Sequence, residues 1–472
     1  MELLHGQSEV QVAAPAHLLP PRAGDCLRWR PTSIALPHLP VVADGPSDGE
    51  LSFALCTRTR DDRIGSRRVT INPPADLHIG ITDGTFYGGN PFPAFTWMRD
   101  EAPAYFDESA GVWGITRYAD IKEISKDPET FSNAGGIRPD TDALPMMIDC
   151  DAPEHVRRRR LVSEGFTPKR IRESEHGVRE ICDDIIDKVC EQGTADFVRD
   201  IAAPLPMIVI GNMLGVAPED RDDLLRWSDD MLKALGSPDP TAMGGAAVAA
   251  MEYAEYITTV VEQRRRDNQS DDLIGTLVHA DIEGDKLDES SLIYESLLIL
   301  IGGDETTRHV ISGGMYELLS HPDQFALLAT ERDRLPLAVE EMLRWVSPIK
   351  NMARTATRDV ELHGKKIAKG QKLLLLYPSA NRDERNFTEP DQFDVTRTPN
   401  DHMAFGFGAH FCLGNRLARL ELAVMFDRLF ERLPDLVLAS DVEPPKRAAN
   451  FVSGYEEMPV TFTPSAPVGA TA

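Results

Sequence analysis

One short segment, residues 405–414 with the sequence FGFGAHFCLG, restricts what this chain can fold into more than any other feature. Gly406 and Gly408 permit a tight loop, because glycine tolerates positive φ angles. A long amphipathic pattern begins directly after Cys412, so this cysteine is expected at the N-terminus of a helix. There the free N–H groups and the positive end of the helix dipole favour thiolate over thiol. The segment therefore predicts a metal-binding thiolate, although a lone cysteine is usually a small buried hydrophobe.

A second feature is a long helical pattern over residues 287–320, with Asp288 as a possible cap and a stop at Pro322. About 32 helical residues would span roughly 48 Å. The middle of the pattern reads GGDETT at residues 302–307, although each glycine inside a helix costs about 1 kcal/mol relative to alanine. Thr306 can bond back to the carbonyl four residues earlier and bend the helix. Two interpretations stay open here: a kinked core helix, or a groove with an acid–alcohol pair that relays protons.

Composition excludes several classes of protein. The chain has 472 residues, of which 42% are hydrophobic, enough to bury a large core. The 76 acidic residues outnumber the 50 basic residues and give a net charge of −26. Such a charge argues against binding to nucleic acid or anionic membranes. Six cysteines without a CxxC pair argue against a disulfide framework or a structural zinc site and favour a reducing cytoplasm. No apolar run approaches the roughly 20 residues that span a bilayer, so stable membrane insertion is not expected.

Periodicity predicts a mainly α-helical chain with small β-sheets. Residues 1–73 are rich in Pro, Gly, Ala and Arg without a helical or strand period, so they are expected to be disordered or a non-native extension. Residues 74–472 are expected to form one large domain. Two short strands are predicted at 104–106 and 112–115. Helical patterns cover residues 173–192, 203–215, 218–235, 245–267, 289–320, 334–346 and 413–432.

The segment FGFGAHFCLG resembles the haem-binding signature of the cytochrome P450 superfamily, and other motifs of that family follow between about residues 80 and 465. The resemblance implies a single large P450 fold, in which haem b (iron protoporphyrin IX) lies between the long central helix and the cysteine-loop helix. It implies Cys412 as the iron ligand, which pushes electron density onto the iron. It also implies that Glu305 delivers protons and that Thr306 stabilises the activated oxygen.

The same resemblance implies roles for several charged residues. Glu341 and Arg344 resemble the family's ExxR pair, a structural ion pair for which Arg397 is the expected partner. Four residues match positions that bind the two haem propionates: His155, Arg159, Arg354 and His410. The run of arginines at 157–160 is the one dense basic patch in an acidic chain. Arg158 and Arg160 either belong to a solvated helix face or form a docking site for an acidic electron donor.

The substrate pocket is expected to be apolar and rich in methionine, which suits a large lipid-like substrate. Core packing would look similar in the sequence, so that alternative stays open. The candidate pocket residues are Ile137, Met147, Val346, Met352, Phe451 and Val452. Strings at 131–140, 299–308 and 450–454 resemble a narrower group, the actinobacterial steroid C26/C27 monooxygenases that oxidise a terminal side-chain methyl of cholesterol or cholest-4-en-3-one.

That narrower resemblance implies O2 as a substrate, a ferredoxin as electron donor and an NAD(P)H-dependent ferredoxin reductase behind it. Three alternatives remain. The substrate could be another hydrophobic molecule, such as a fatty acid or a terpenoid. A peroxygenase would use hydrogen peroxide, but it would not need the pair of Glu305 and Thr306. In a non-catalytic haem-binding or gas-sensing protein, the pair of Glu305 and Thr306 would have no function.

Overall fold

The structure is a computed structural model that describes residues 73–74, 77–235, 237, 239, 241–267, 272–281, 284 and 286–470. The prediction that residues 1–73 are disordered or non-native falls outside the described residues except at residue 73.

Helices dominate the described residues. They are α1 (Gly84–Gly88), α2 (Phe92–Glu101), α3 (Tyr118–Lys126), α4 (Glu154–Ser163), α5 (Pro168–Glu173), α6 (Glu175–Asp187), α7 (Pro204–Leu214), α8 (Arg221–Lys233), α9 (Ala242–Arg266), α10 (Leu273–His279), α11 (Glu289–Ser320), α12 (Pro322–Thr330), α13 (Leu335–Val346), α14 (Tyr377–Ala380) and α15 (Asn415–Arg432). The helical patterns of the sequence correspond to α6, α7, α8, α9, α11, α13 and α15, with ends that differ by a few residues. The mainly α-helical fold class is therefore confirmed.

The strands form three small sheets. They are β1 (Ala104–Asp107), β2 (Val112–Ile115), β3 (Phe131–Ser132), β4 (Thr194–Asp196), β5 (Asn351–Ala356), β6 (Val360–Leu362), β7 (Lys365–Ile367), β8 (Lys372–Leu376), β9 (Val437–Leu438) and β10 (Pro459–Thr461). One sheet has the order β1-β2-β8-β5-β3, the second β4-β10-β9, and the third pairs β6 with β7. Because side chains alternate along a strand, Met352 and Arg354 leave β5 on the same face.

Helix α11 is the central element of the core. Its first turn is capped by the Asp288 side chain, which accepts the N–H of Ser291 at 2.7 Å, a contact that typically contributes about 1 kcal/mol. Helices α7, α8, α9, α13 and α15 all pack against it. Four charged or ionisable side chains near its middle are buried, namely Asp304, Glu305, Arg308 and His309. Such groups are rarely buried unless they are paired or functional, so they lead to the site.

One segment of the described residues, Phe197–Leu214, has the length and the mean hydropathy, 1.4, of a membrane-spanning helix. The segment is an exception to the expectation that no apolar run approaches the length of a membrane span. In the structure 67% of the segment is buried inside the fold, where α7 packs on α11.

Candidate active site

The loop before α15 holds Cys412 in a fixed position. The N–H of Cys412 donates to the carbonyl of Phe405 at 3.0 Å. Gly406 and Gly408 have φ angles of 68° and 77°, in the left-handed region that favours glycine. A side chain at Gly408 would also collide with the backbone carbonyl of Ser125. The turn therefore requires glycine at 408 for two independent reasons.

The surroundings of Cys412 suit a metal-bound thiolate. Burial raises the pKa of the Cys412 thiol, while the N–H groups of Gly414 and Asn415 and the charges of Arg159 and Arg419 lower it. When the thiolate binds a metal cation, these N–H groups and arginines still stabilise its negative charge, and the cation stabilises it further. The residue lines a large cavity between its own loop and α11.

That cavity contains about 1430 Å³ of atom-free space, counting its open mouth. Helix α11 contributes Leu298, Ile299, Gly302, Gly303, Thr306, Thr307 and Val310 to its wall. The two glycines act differently. A Cβ at Gly302 would meet no protein atom within 4 Å, whereas a Cβ at Gly303 would lie 2.9 Å from Ile210 of α7. Gly302 therefore keeps the groove beside Thr306 open, and Gly303 lets α7 pack closely against α11.

Four basic side chains line the same cavity: His155, Arg159, Arg354 and His410. The rings of His155 and His410 stack, with 3.9 Å between their centroids. Burial, together with His155 and the two arginines, lowers the pKa of His410 to about 3. Within the described part of the chain neither arginine forms an ion pair with a carboxylate. Such a cluster needs anionic partners, and the two carboxylates of a haem supply them.

The donor set of the cavity thus fits a haem. A thiolate ligand on one wall, basic side chains at the rim and an apolar body are the features that haem ligation requires. Tyr377 also lines this cavity, although the sequence did not indicate it as a site residue. It stands at the start of α14, and no pattern in its own segment indicates where the side chain points.

Glu305 does not line the cavity; it lies in a buried ionic network beside it. Its carboxylate accepts from Arg308 at 2.5 Å and from Arg447 at 2.8 Å. Burial alone raises the pKa of Glu305, but the two guanidiniums lower it to well below its usual value. Asp229 of α8 binds the same arginines, at 2.9 Å to Arg308 and 3.0 Å to Arg447. The ionised Glu305 is therefore tied to the helix α8 through shared partners.

Thr306 does line the cavity. Its hydroxyl donates to the carbonyl of Gly302 at 3.0 Å, the back-bond to the carbonyl four residues earlier. The acid and the alcohol are neighbours in sequence, yet the structure turns only the alcohol toward the cavity.

A further carboxyl group lines the cavity, although it was not predicted from the sequence. Glu421 of α15 is buried, and burial together with nearby Asp304 raises its pKa to about 8. Within the part of the chain that the structure describes, the two buried carboxylate oxygens of Asp304 have no hydrogen-bond partner. The helical period could have indicated its position, because Glu421 follows Leu417 by four residues and therefore lies on the core face of an amphipathic helix.

The structure brings only part of the expected substrate residues to this cavity. Met147 and Met352 line it. Ile137, Phe451 and Val452 instead form a separate buried cluster with Leu232, against which Met352 packs. Val346 lines a second cavity. Several apolar wall residues were not singled out from the sequence: Ile148, Phe166, Ile210, Leu298, Ile299 and Val310.

Glu341 and Arg344 form a buried bidentate pair, with both contacts at 2.7 Å. Arg397 lies 3.1 Å from Glu341 on the other side. Arg344 also donates to the carbonyls of Asn381 and Pro390, each at 2.8 Å. This cluster ties α13 to the loop that leads to the cysteine segment.

The arginines of the basic run on α4, residues 157–160, differ in how far they are exposed to solvent. Arg158 is largely buried, and it binds Glu295 of α11 at 3.2 Å and the carbonyl of Pro145 at 2.9 Å. Arg160 is exposed. Arg158 is thus occupied with holding α4 to α11, whereas Arg160 is not buried.

Comparison with known proteins agrees with this geometry. A family model described as Cytochrome P450 matches residues 109–454. A steroid C26-monooxygenase of Mycolicibacterium smegmatis is 50% identical over 392 residues, which are 83% of this chain and 97% of that protein. A steroid C26-monooxygenase of Mycobacterium tuberculosis is 51% identical over 396 residues, 83% of this chain and 98% of that protein. A solved Mycobacterium marinum cytochrome P450 in complex with pseudoionone has a TM-score of 0.75 and 30% identity, covering 83% of this chain and 100% of its own. The chain belongs to the cytochrome P450 family of haem-thiolate monooxygenases.

Proposed function

We propose that this chain hydroxylates a terminal side-chain methyl group of a sterol, cholesterol or cholest-4-en-3-one. A ferredoxin and its NAD(P)H-dependent reductase supply the electrons, and the reaction takes place in the cytoplasm. The observation that carries the proposal is the cavity itself, which joins a thiolate at Cys412, a hydroxyl at Thr306 and apolar walls with Met147 and Met352. The similarity to steroid C26-monooxygenases supports the choice of a sterol.

Cys412 would ligate the iron of haem b, and four side chains would hold its carboxylates: His155, Arg159, Arg354 and His410. The haem supplies oxygen activation, which no side chain provides. The thiolate is a strong electron donor to that iron. The N–H groups of Gly414 and Asn415 stabilise the charge on the sulfur and so moderate that donation.

Hydroxylation places one oxygen atom of O2 in a C–H bond and releases the other as water, which consumes two electrons and two protons. A threonine hydroxyl has one donor and two acceptor positions. Thr306 can therefore turn its proton from the Gly302 carbonyl into the cavity. Glu305 is ionised between Arg308 and Arg447, so it must take up a proton and leave these partners before it can reload Thr306.

Position must decide which carbon reacts, because terminal methyl C–H bonds are stronger than the neighbouring tertiary one. Burial of a sterol contributes about 25 cal/mol per Å² of apolar surface, so apolar walls can bind it with few polar contacts. Leu298 and Ile299 stand one turn before Gly302 on α11, and Ile210 faces them from α7. These side chains would hold the tail and keep the tertiary carbon away from the oxygen site.

The test is a reconstituted reaction of the haem-loaded protein with a ferredoxin, its reductase, NADPH and cholest-4-en-3-one, followed by mass spectrometry of the product. The expected product carries one added oxygen at a terminal side-chain methyl. Cys412→His is the control: it should keep haem but lose both product and the red-shifted Soret band of the reduced carbon-monoxide complex. Hydroxylation of the rings or of the tertiary carbon would contradict the proposal. Preferred turnover of a fatty acid or a terpenoid would establish the alternative substrate class.

A further inference from the structure

A second cavity lies further along α11 and shares no lining residue with the first. It contains about 970 Å³ of atom-free space, counting its opening to solvent. Its walls come from α1, α11, the end of α13, the segment after α14 and the C-terminal segment. The residues that matter for its chemistry are Lys350, Arg382, Lys446, His309, Glu317 and Asp391.

Lys350 is the unusual member of this cavity. Its ammonium group donates to the carbonyls of Val346 at 3.3 Å and Ser347 at 3.0 Å, at the end of α13. A lysine ammonium has three N–H donors, so one remains for the cavity. Among the residues that the structure describes, no carboxylate lies within ion-pair distance of Lys350. Lys350 is half-buried. An ammonium group that is partly removed from water without a counter-charge is destabilised, and a bound anion would offset that cost.

Arg382 is a second cation that lines the same cavity. Its guanidinium carbon lies 4.3 Å from the centroid of the Phe92 ring and 3.4 Å from that of Trp345. One terminal nitrogen binds Asp391 at 3.1 Å. Its Nε is buried and has no hydrogen-bond partner among the described residues, a state that is rare in native proteins.

The acidic groups around the cavity leave one of these cations without a partner. Burial raises the pKa of Glu317. Asp391 is occupied with Arg382, and Glu443 pairs with Lys446 at 2.6 Å. Burial lowers the pKa of His309 to well below its usual value, so this imidazole is neutral, and the pKa values of the nearby Tyr87 and Tyr455 are raised. Among the described residues Lys350 is therefore the cation of this cavity that has no carboxylate partner.

We propose that the second cavity binds a small organic carboxylate, whose charged end accepts a hydrogen bond from Lys350. Its apolar body lies against Val346 and Tyr455, which line the same space. The site is independent of the sterol proposal, because no residue of the first cavity takes part in it.

Isothermal titration of the haem-loaded full-length protein with benzoate tests the site, with benzamide as a probe of the same shape and no charge. Benzoate should bind at least tenfold more tightly than benzamide. Lys350→Met should weaken benzoate at least tenfold, and Lys350→Arg should retain it. Lys372→Met is the matched control, since Lys372 also donates to two backbone carbonyls, those of Arg138 at 2.9 Å and Thr141 at 3.0 Å, but lies outside the cavity. This variant should bind like the unchanged protein.

A proton should accompany the anion. Burial, with a smaller contribution from Lys446, lowers the pKa of Lys350 to about 7, so at pH 8 the lysine is mostly neutral and must be protonated when a carboxylate binds. Titrations in two buffers of different ionisation enthalpy should show uptake of close to one proton at pH 8. Lys350→Arg should bind benzoate without that uptake.

Three outcomes would overturn the proposal. The first is no benzoate binding up to millimolar concentration, which would leave Lys350 as a structural cap of α13. The second is equal binding to Lys350→Met together with a change in the Soret band, which would place benzoate in the first cavity. The third is inorganic phosphate binding more tightly than benzoate, which would show that the ligand is not a carboxylate.

Discussion

Thr306 is the side chain on which the proposed proton transfer depends most directly, since its hydroxyl lines the cavity and can turn away from Gly302. Thr306→Ala removes that donor and leaves the ionic network around Glu305 in place. We expect NADPH consumption to continue at a comparable rate while product per NADPH falls about tenfold or more and hydrogen peroxide accumulates. Thr306→Ser, which keeps the hydroxyl, should restore most of the coupling. Tight coupling in the alanine variant would remove Thr306 from the proton path.

Glu421 predicts a pH dependence of stability. Its pKa is raised to about 8 by burial and by Asp304, against about 4.3 in an unfolded chain. Between these values the folded protein binds more protons than the unfolded one, so stability falls as the pH rises. Glu421→Gln should remove this contribution, which amounts to at most about 1.4 kcal/mol per pH unit.

Denaturant unfolding of the haem-loaded protein at several pH values between 5 and 8 would measure that slope. Glu431→Gln, at the exposed end of the same helix, is the control and should leave the slope unchanged. Identical slopes in the Glu421 variant and the unchanged protein would mean that Glu421 is already ionised in the folded state.

Helix α13 is joined to the loop before the cysteine segment by the buried pair of Glu341 and Arg344. Arg344→Lys loses the bidentate contact and the backbone carbonyls that Arg344 now binds. Breaking a buried ion pair typically costs about 3–5 kcal/mol. Arg334→Lys, which alters an exposed pair with Glu331, should cost less than about 1 kcal/mol. Chemical denaturation of both variants checks this, and equal small losses would show that the buried pair is not structural.

Helix α4 carries the prediction about electron delivery. Arg160 is exposed, whereas Arg158 is engaged with Glu295. Arg160→Glu should slow reduction by the ferredoxin severalfold at low ionic strength, because exposed charges steer an acidic partner. The difference should fade at high salt, since charges are screened over about 10 Å at 0.1 M. Stopped-flow reduction kinetics measure it, with Arg170→Glu on α5 as a control, and rates that are independent of salt would contradict docking at α4.

Elements with strong local signals could be predicted from the sequence. Helix α11 has a cap at Asp288 and a proline two residues after its end, and the structure begins and ends it at Glu289 and Ser320. The ends of α6 were predicted less well, because residues 188–192 continue the helical pattern but lie outside the helix. The side chains that face the cavity from α7 could not be predicted, since an almost wholly apolar helix does not show which face is covered.

At the scale of the whole molecule, the limit of sequence reasoning is contact between distant segments. Asp229, Glu305 and Arg447 come from three separate parts of the chain, yet they share one buried network. The motif predicted an acid beside an alcohol, and it could not show that two arginines hold the acid. The sequence did not indicate a special environment for Lys350 either. A lysine next to a strand cannot be told from a surface lysine before the tertiary packing is known.

The last prediction concerns the N-terminal segment. Residues 1–70 contain eight arginines and eight acidic residues, so the net charge of the whole chain is carried by the residues that follow. They lack an apolar period that would form a buried face, and the buried apolar residues of the described core begin at Ile81. Removing residues 1–70 should therefore leave haem content, net charge and melting temperature unchanged. Absorbance spectra and calorimetry of the truncated and full-length proteins make the comparison. A fall in melting temperature of more than about 4 °C, roughly the effect of 3 kcal/mol in a domain of this size, would show that the segment stabilises the domain.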